Sequence, residues 1–159
     1  MISNSLKSLF LRLASSAFDV VHGTDTESAR SIRENGFSLD NFGRTSKMTG
    51  SSLGEHDPLG IFFIRDVGHK LIGNPPHPWD FNKQGEWVFA TVVLENPLET
   101  ETFIEFPDGS WKTGKQAISE KYGNATGSEL TQKLIEDGFD GIVTVTEIIV
   151  FDPSKIKIK

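Results

Sequence analysis

The chain has 159 residues, 36% apolar and 24% charged, the balance of one globular domain with a buried core rather than a disordered or fibrous chain. No apolar run approaches the roughly 20 residues of a membrane-spanning helix. A net charge of −6 disfavours nucleic-acid binding by bulk attraction, which relies on surplus Lys and Arg.

Residues 1–17 contain Lys7 and Arg12 but no acid. Arg12 interrupts the apolar stretch, so a secretory leader fits poorly. Leu6, Leu9, Phe10 and Leu13 recur at helical spacing and predict an N-terminal amphipathic helix over 1–17. The remaining domain, 18–159, opens with a strand, Phe18-Asp19-Val20-Val21-His22, that ends at Gly23. A helix follows, with Thr24 and Glu27 as a capping box, Ala29 and Ile32 as its apolar stripe and Gly36 as its C-cap. Phe37 is expected to fold back onto the last turn. Residues 40–59 show no periodicity, and a loop of that length in a small domain usually carries function.

Gly60-Ile61-Phe62-Phe63-Ile64 reads as a buried strand. A short helix over 67–72 precedes the Pro-rich loop 74–79. Residues 87–94 are the clearest strand, terminated by Asn96-Pro97. A hairpin is expected around Pro107-Asp108-Gly109, then a short helix over 115–122. A second good helix is capped by Ser128, turns Leu130, Leu134 and Ile135 inward and ends at Gly138. Residues 142–151 are β-rich and close with Asp152-Pro153. The order predicts an α+β domain without repeats.

Four His and no Cys leave little room for metal or thiol chemistry. There is no disulfide, no zinc-thiolate site, no His-Glu-x-x-His spacing, no Gly-x-Ser-x-Gly elbow and no phosphate-binding loop. Twelve Phe stand against one Tyr, so a mechanism that needs tyrosine must use Tyr122 or do without. His56, His69 and His77 lie in polar or Pro-rich contexts that suit a surface role. Lys155, Lys157 and Lys159 make a small basic patch.

His22 is different, because it ends a strand and precedes a glycine that lets a ligand approach the backbone; a purely structural strand-end histidine is the other reading. Glu147 is the second oddity. Strict alternation through 143–151 puts it among Val143, Val145, Ile149 and Phe151, where an acid is costly unless it is paired or lines a cleft. The other reading is a turn at 144–146 that breaks the alternation. The residues alone do not choose between them.

Taken in order, His22-Gly23-Thr24, Gly60-Ile61-Phe62-Phe63, Val92-Val93-Leu94-Glu95-Asn96-Pro97-Leu98, Gly138-Phe139-Asp140-Gly141-Ile142 and Glu147-Ile148-Ile149-Val150-Phe151-Asp152-Pro153 resemble the ADP-ribosyltransferase family. The closest type is the diphtheria-toxin and poly(ADP-ribose) polymerase class, especially the small phage and mobile-element domains called polyvalent-protein ADP-ribosyltransferases. The resemblance runs over about residues 18–156. It implies a single domain with a split mixed or antiparallel sheet and flanking helices.

This class carries a His-Tyr-Glu signature, one residue from each of three strands. His22 matches the first and Glu147 the last. Phe62 falls at the tyrosine, which keeps a stacking face and loses one hydroxyl. Members that modify arginine usually have Glu or Gln two residues before the catalytic glutamate. Here that residue is Val145, which argues against an arginine target.

The resemblance implies NAD+ as donor substrate, no metal, and cleavage of the nicotinamide–ribose bond. Positive charge would develop on the ribose, with Glu147 as its stabilising carboxylate. His22 would bond a donor ribose, Gly23 the nicotinamide amide and Phe62 the nicotinamide face, with core packing as the alternative for Phe62. Thr24 adjoins this donor site or only caps its helix. The acceptor implied is a macromolecule, protein or nucleic acid. Arg44 and Lys47 in the first loop are candidates for donor-phosphate contacts, with solvated loop charges as the other reading, and Trp79 and Phe81 in the second are candidates for target contacts. A toxin-like cytoplasmic enzyme with an antitoxin or inhibitor as partner, and no membrane, is the setting implied. A non-catalytic NAD+ or ADP-ribose binder and an NAD+ glycohydrolase are the alternatives.

Overall fold

Val, Ile and Phe crowd three segments, and in the computed structural model each becomes a strand: β1 (Ser16–Thr24), β2 (Ile61–Arg65) and β5 (Glu86–Leu94). The structure describes residues 16–39, 58–65, 76–77 and 80–159. Among these, the other strands are β3 (Pro76–His77), β4 (Asp80–Gln84), β6 (Pro97–Glu99), β7 (Phe103–Glu105), β8 (Trp111–Thr113), β9 (Gly141–Val143), β10 (Glu147–Val150) and β11 (Ile156–Ile158). The helices are α1 (Thr26–Asn35), α2 (Gly114–Glu120) and α3 (Gly127–Glu136). The fold is α+β, as the order of elements predicts.

Seven strands form one mixed sheet in the order β11–β5–β1–β2–β10–β9–β6. Every neighbouring pair is antiparallel except β6–β9. β1 pairs with β5 along its whole length, from Ser16 opposite Leu94 to Thr24 opposite Glu86. With β2 it makes two registered pairs, Val20 with Arg65 and Val21 with Ile64. Among the described residues the sheet is therefore narrowest at the β1–β2 join.

Each face of the sheet has its own core. On one face Leu98, Ile142 and Ile149 pack with Phe106, Ala117, Ile118, Tyr122, Leu130 and Leu134, so α2 and α3 cover its β6–β9–β10 end. On the other, Val20, Phe63, Ala90, Val92, Leu94, Ile148 and Val150 cluster, with Phe18, Phe37 and Ile156 packed against them. The period-two alternation of β5 is legible in its burial, with Val88, Ala90, Val92 and Leu94 buried while Phe89 and Val93 are exposed.

Several sequence expectations need correction. Ser16 and Ala17 belong to β1, so the proposed boundary between 17 and 18 cuts a strand. The rest of the N-terminal helix, the 67–72 helix and nearly all of the 40–59 loop lie outside the described residues. The α1 cap is Asp25, not Thr24, and its carboxylate accepts from Ser28 N at 2.8 Å and from the Ser28 hydroxyl at 2.6 Å. Thr24 stays in β1, buried opposite Glu86. Pairing with β5 thus captures Thr24, and helix entry moves one residue on. Gly36 ends α1 at φ +80° as expected. Phe37 goes to the sheet rather than back onto the helix.

The N-cap of α3 is Thr126 rather than Ser128, and Ile135 is 46% exposed instead of inward. Leu130 and Leu134 fill the core alone from that stripe. The hairpin at Pro107-Asp108-Gly109 forms as β7–β8, with Gly109 at φ +81°. Among the described residues no helix is long and apolar enough to cross a membrane.

Candidate functional site

His22, Phe62 and Glu147 come from three adjacent strands, β1, β2 and β10. The register gives one cross-strand row of Phe89, Val21, Ile64 and Glu147, and another of Phe62, Ile149, Ile142 and Leu98. Directly opposed residues share a face and alternate residues return to it, so Phe62 and Glu147 lie on the same face. Its β9–β10 end is covered by helices, whereas Ile64 and Phe89 are 43% and 46% exposed. Glu147 is partly buried where that covered end gives way to the exposed one. Gly23 sits opposite Trp87, two residues along β5 from Phe89. Lacking a side chain, it lets a flat group approach the backbone there.

The His22 ring lies on the other face. It meets Phe37 and Phe63 edge-on, at 5.4 Å and 5.8 Å between centroids, and those two rings meet at 5.1 Å. Its Nδ1 is 2.8 Å from the carbonyl oxygen of Phe62. That carbonyl lies just beyond the last registered β1–β2 pair, so the imidazole bridges the strands where the ladder stops. A carbonyl only accepts, which puts the proton on Nδ1 and leaves a lone pair on Nε2. Burial pushes the His22 pKa down, and the bond to Phe62 only partly offsets it. The structure thus joins His22 to Phe62 through the backbone and brings Phe62, but not the His22 ring, onto the face of Glu147.

A measurable consequence concerns pH. The folded chain takes up a proton at His22 less readily than the unfolded chain, whose ordinary value is 6.5. Its contribution to stability is therefore complete above that value and is lost as the pH falls below it. Urea denaturation at pH 8 and pH 5.5 is expected to show a loss of stability that is smaller in His22→Gln. Equal losses in the two proteins would remove His22 from this role.

Glu147 is set by a turn. Residues 144–146 separate β9 from β10, Val145 is 64% exposed, and the alternation restarts at Glu147. Both open readings of the sequence thus hold in part, because the turn exists and Glu147 still shares a face with Ile149. The buried Thr144 hydroxyl accepts from Glu147 N at 2.8 Å and Thr146 N at 3.2 Å. Thr144 N donates to the Glu147 carbonyl at 2.9 Å. Arg65 clamps the same turn, its backbone N donating to Thr146 O and its guanidinium to Thr144 O, both at 2.9 Å. Sequence reasoning missed Arg65 and Thr144. The signals available were a cation closing an apolar strand and a Thr three residues before the acid.

Two of the five matched motifs are structural. The Asp140 carboxylate accepts from Glu95 N at 2.7 Å and Asn96 N at 3.1 Å, while Asn96 Nδ2 donates to Gly138 O at 2.8 Å. This clasp ties the β5–β6 turn to the α3–β9 connection and sets the one parallel pair. Gly141 is required because a Cβ there would lie 2.6 Å from Ile149 O. Asp140→Ala removes two charge-assisted bonds, one exposed and one part-buried, and is expected to cost about 1–2 kcal/mol in urea denaturation. A loss under about 0.5 kcal/mol would refute the clasp.

Tyr122 is committed elsewhere. It is buried, and its hydroxyl donates to Asp137 Oδ2 at 2.6 Å, an arrangement that pushes its pKa up through burial first and the neighbouring carboxylate second. Phe63, one residue along from Phe62 and on the opposite face, is core. Lys155 pairs with Glu95 and Lys159 with Asp19, which absorbs two members of the C-terminal basic patch. Arg44, Lys47, His56, His69 and Trp79 and the side chains of His77 and Phe81 lie outside the described residues. Among the described residues no group of three or more His, Asp or Glu is placed to hold a metal.

No family model matches the chain, and neither a curated protein nor a solved structure matches it.

Proposed function

We propose that the chain is an NAD+-dependent ADP-ribosyltransferase of the diphtheria-toxin and poly(ADP-ribose) polymerase type, acting on a macromolecular acceptor. The observation that carries the reading is the adjacency of β1, β2 and β10, each bearing one residue of the His-Phe-Glu set, at the narrowest join of the sheet. A two-pair join bridged by an imidazole is how a split sheet would be held together. NAD+ would supply the ribosyl group. Glu147 would meet the charge that develops on the ribose, at the border of a covered surface where a carboxylate acts more strongly than in open water. Phe62 would offer its ring to the nicotinamide and Gly23 its backbone.

One observation favours a second reading, a non-catalytic NAD+ or ADP-ribose module. The His22 ring packs between Phe37 and Phe63 instead of standing beside Glu147. Incubation with labelled NAD+ separates the two readings. Release of nicotinamide and transfer of label into lysate macromolecules support the transferase. Release without transfer, unchanged by lysate, makes it a glycohydrolase. Calorimetric binding of NAD+ without release makes it a binding module. Separate nuclease and protease digestion of the labelled product identifies the acceptor class.

A further inference from the structure

The β7–β8 hairpin presents a face that the core does not use, its one engaged residue being Thr113, which caps α2. Phe103 pairs with Thr113, Ile104 with Lys112 and Glu105 with Trp111. Alternation puts Ile104 and Lys112 on one side and Phe103, Glu105, Trp111 and Thr113 on the other. The first side is engaged, with Ile104 against the core and Lys112 paired with Glu120. On the second, Phe103 is 62% and Trp111 58% exposed, and Glu105 is exposed between them. Opposed residues lie about 5 Å apart at Cβ and diagonal ones about 7–8 Å. Glu105 and Trp111 are therefore direct cross-strand neighbours on this face, with Phe103 on the diagonal from Trp111. None of Phe103, Glu105, Trp111 and Thr113 is basic. At the tip, Lys121 is held by Asp108 and lies over Phe106.

We propose that this face docks a basic segment of a partner protein, seating one Lys or Arg side chain over the Trp111 ring and against Glu105. The charge complementarity is local and global. An aromatic face attracts a cation through its quadrupole, and an adjacent carboxylate adds a charge-assisted hydrogen bond. The same carboxylate, on a chain of net charge −6, repels a phosphate backbone. Exposed aromatics of this kind carry much of the energy in protein interfaces. The inference stands apart from the transferase reading, because it requires binding and no turnover.

The test uses the full chain and a fluorescein-labelled 12-residue peptide of alternating Lys and Ala, read by anisotropy. Binding is expected to weaken with added salt. Trp111→Leu keeps apolar bulk but removes the ring, and should weaken binding about threefold to fivefold, while Trp111→Phe retains most of it. Glu105→Gln should weaken binding, whereas Glu136→Gln, an equal charge change on α3, should leave it within about twofold. Glu105 is exposed, so its variant keeps the test decisive even if Trp111→Leu fails to fold. The proposal is overturned by wild-type binding in folded Trp111→Leu, or by equal weakening in the two Glu variants, which would reveal bulk charge alone. It is also overturned if labelled oligothymidylate binds more tightly than the peptide.

Discussion

Glu147→Gln is expected to lower nicotinamide release from NAD+ by about 10²–10³-fold, with little change in melting temperature. The magnitude is that of removing one preorganised group aimed at charge that exists only in the transition state. The amide keeps the volume and one acceptor oxygen of the carboxylate, removes its charge and exchanges the other acceptor for a donor. The turn beneath it is held by backbone and Thr144 contacts, so the strand stays in place. The drop should appear in kcat/KM and kcat together, since a group that acts only in the transition state is not needed to bind NAD+. Equal turnover in the two proteins would remove Glu147 from the chemistry.

The second large effect separates two adjacent phenylalanines. Phe63 is 1% exposed and lies between Ile148 and the His22 and Phe37 rings. Phe63→Ala should cost about 3–5 kcal/mol in urea denaturation, through lost burial and the cavity left behind. Phe62 lies on the other face and is only partly buried, against the first core cluster. Phe62→Tyr adds a hydroxyl to a ring with access to solvent, so stability should change by less than about 1 kcal/mol. Turnover should be retained or rise. A collapse of turnover in folded Phe62→Tyr would mean that Phe62 does not occupy the tyrosine position of the His-Tyr-Glu set.

The opposite roles of these neighbours were legible in the sequence, because period-two alternation needs only a strand and its two sides. The β5 strand, the Asp108-Gly109 turn and the Gly36 stop were legible for similarly local reasons. What escaped was set by partners distant in the chain. Thr24 reads as a helix cap until β5 claims it opposite Glu86. Ile135 reads as inward because a helical stripe does not say how wide a surface its partner offers. β11 is a three-residue strand that, among the described residues, pairs with β5 alone, and its own residues are too few to signal it. For the candidate site, residue context singled out His22 and Glu147, and the family resemblance added Phe62. The register alone reveals that the His22 ring sits behind the sheet and that Arg65 and Thr144 hold the acid.

The order of the strands also bears on how the chain folds. Ser16 pairs with Leu94, Phe63 with Ile148, and Val92 with Ile156, so almost every neighbour in the sheet is recruited from far along the chain. Closing such loops costs entropy before any contact repays it, and folding on the millisecond-to-second scale is the norm for topologies of this kind. His22, Phe62 and Glu147 each arrive on a different strand, and no early local element contains two of them. The site is complete only when β1, β2 and β10 are paired in register, which makes any activity there a reporter of that long-range closure.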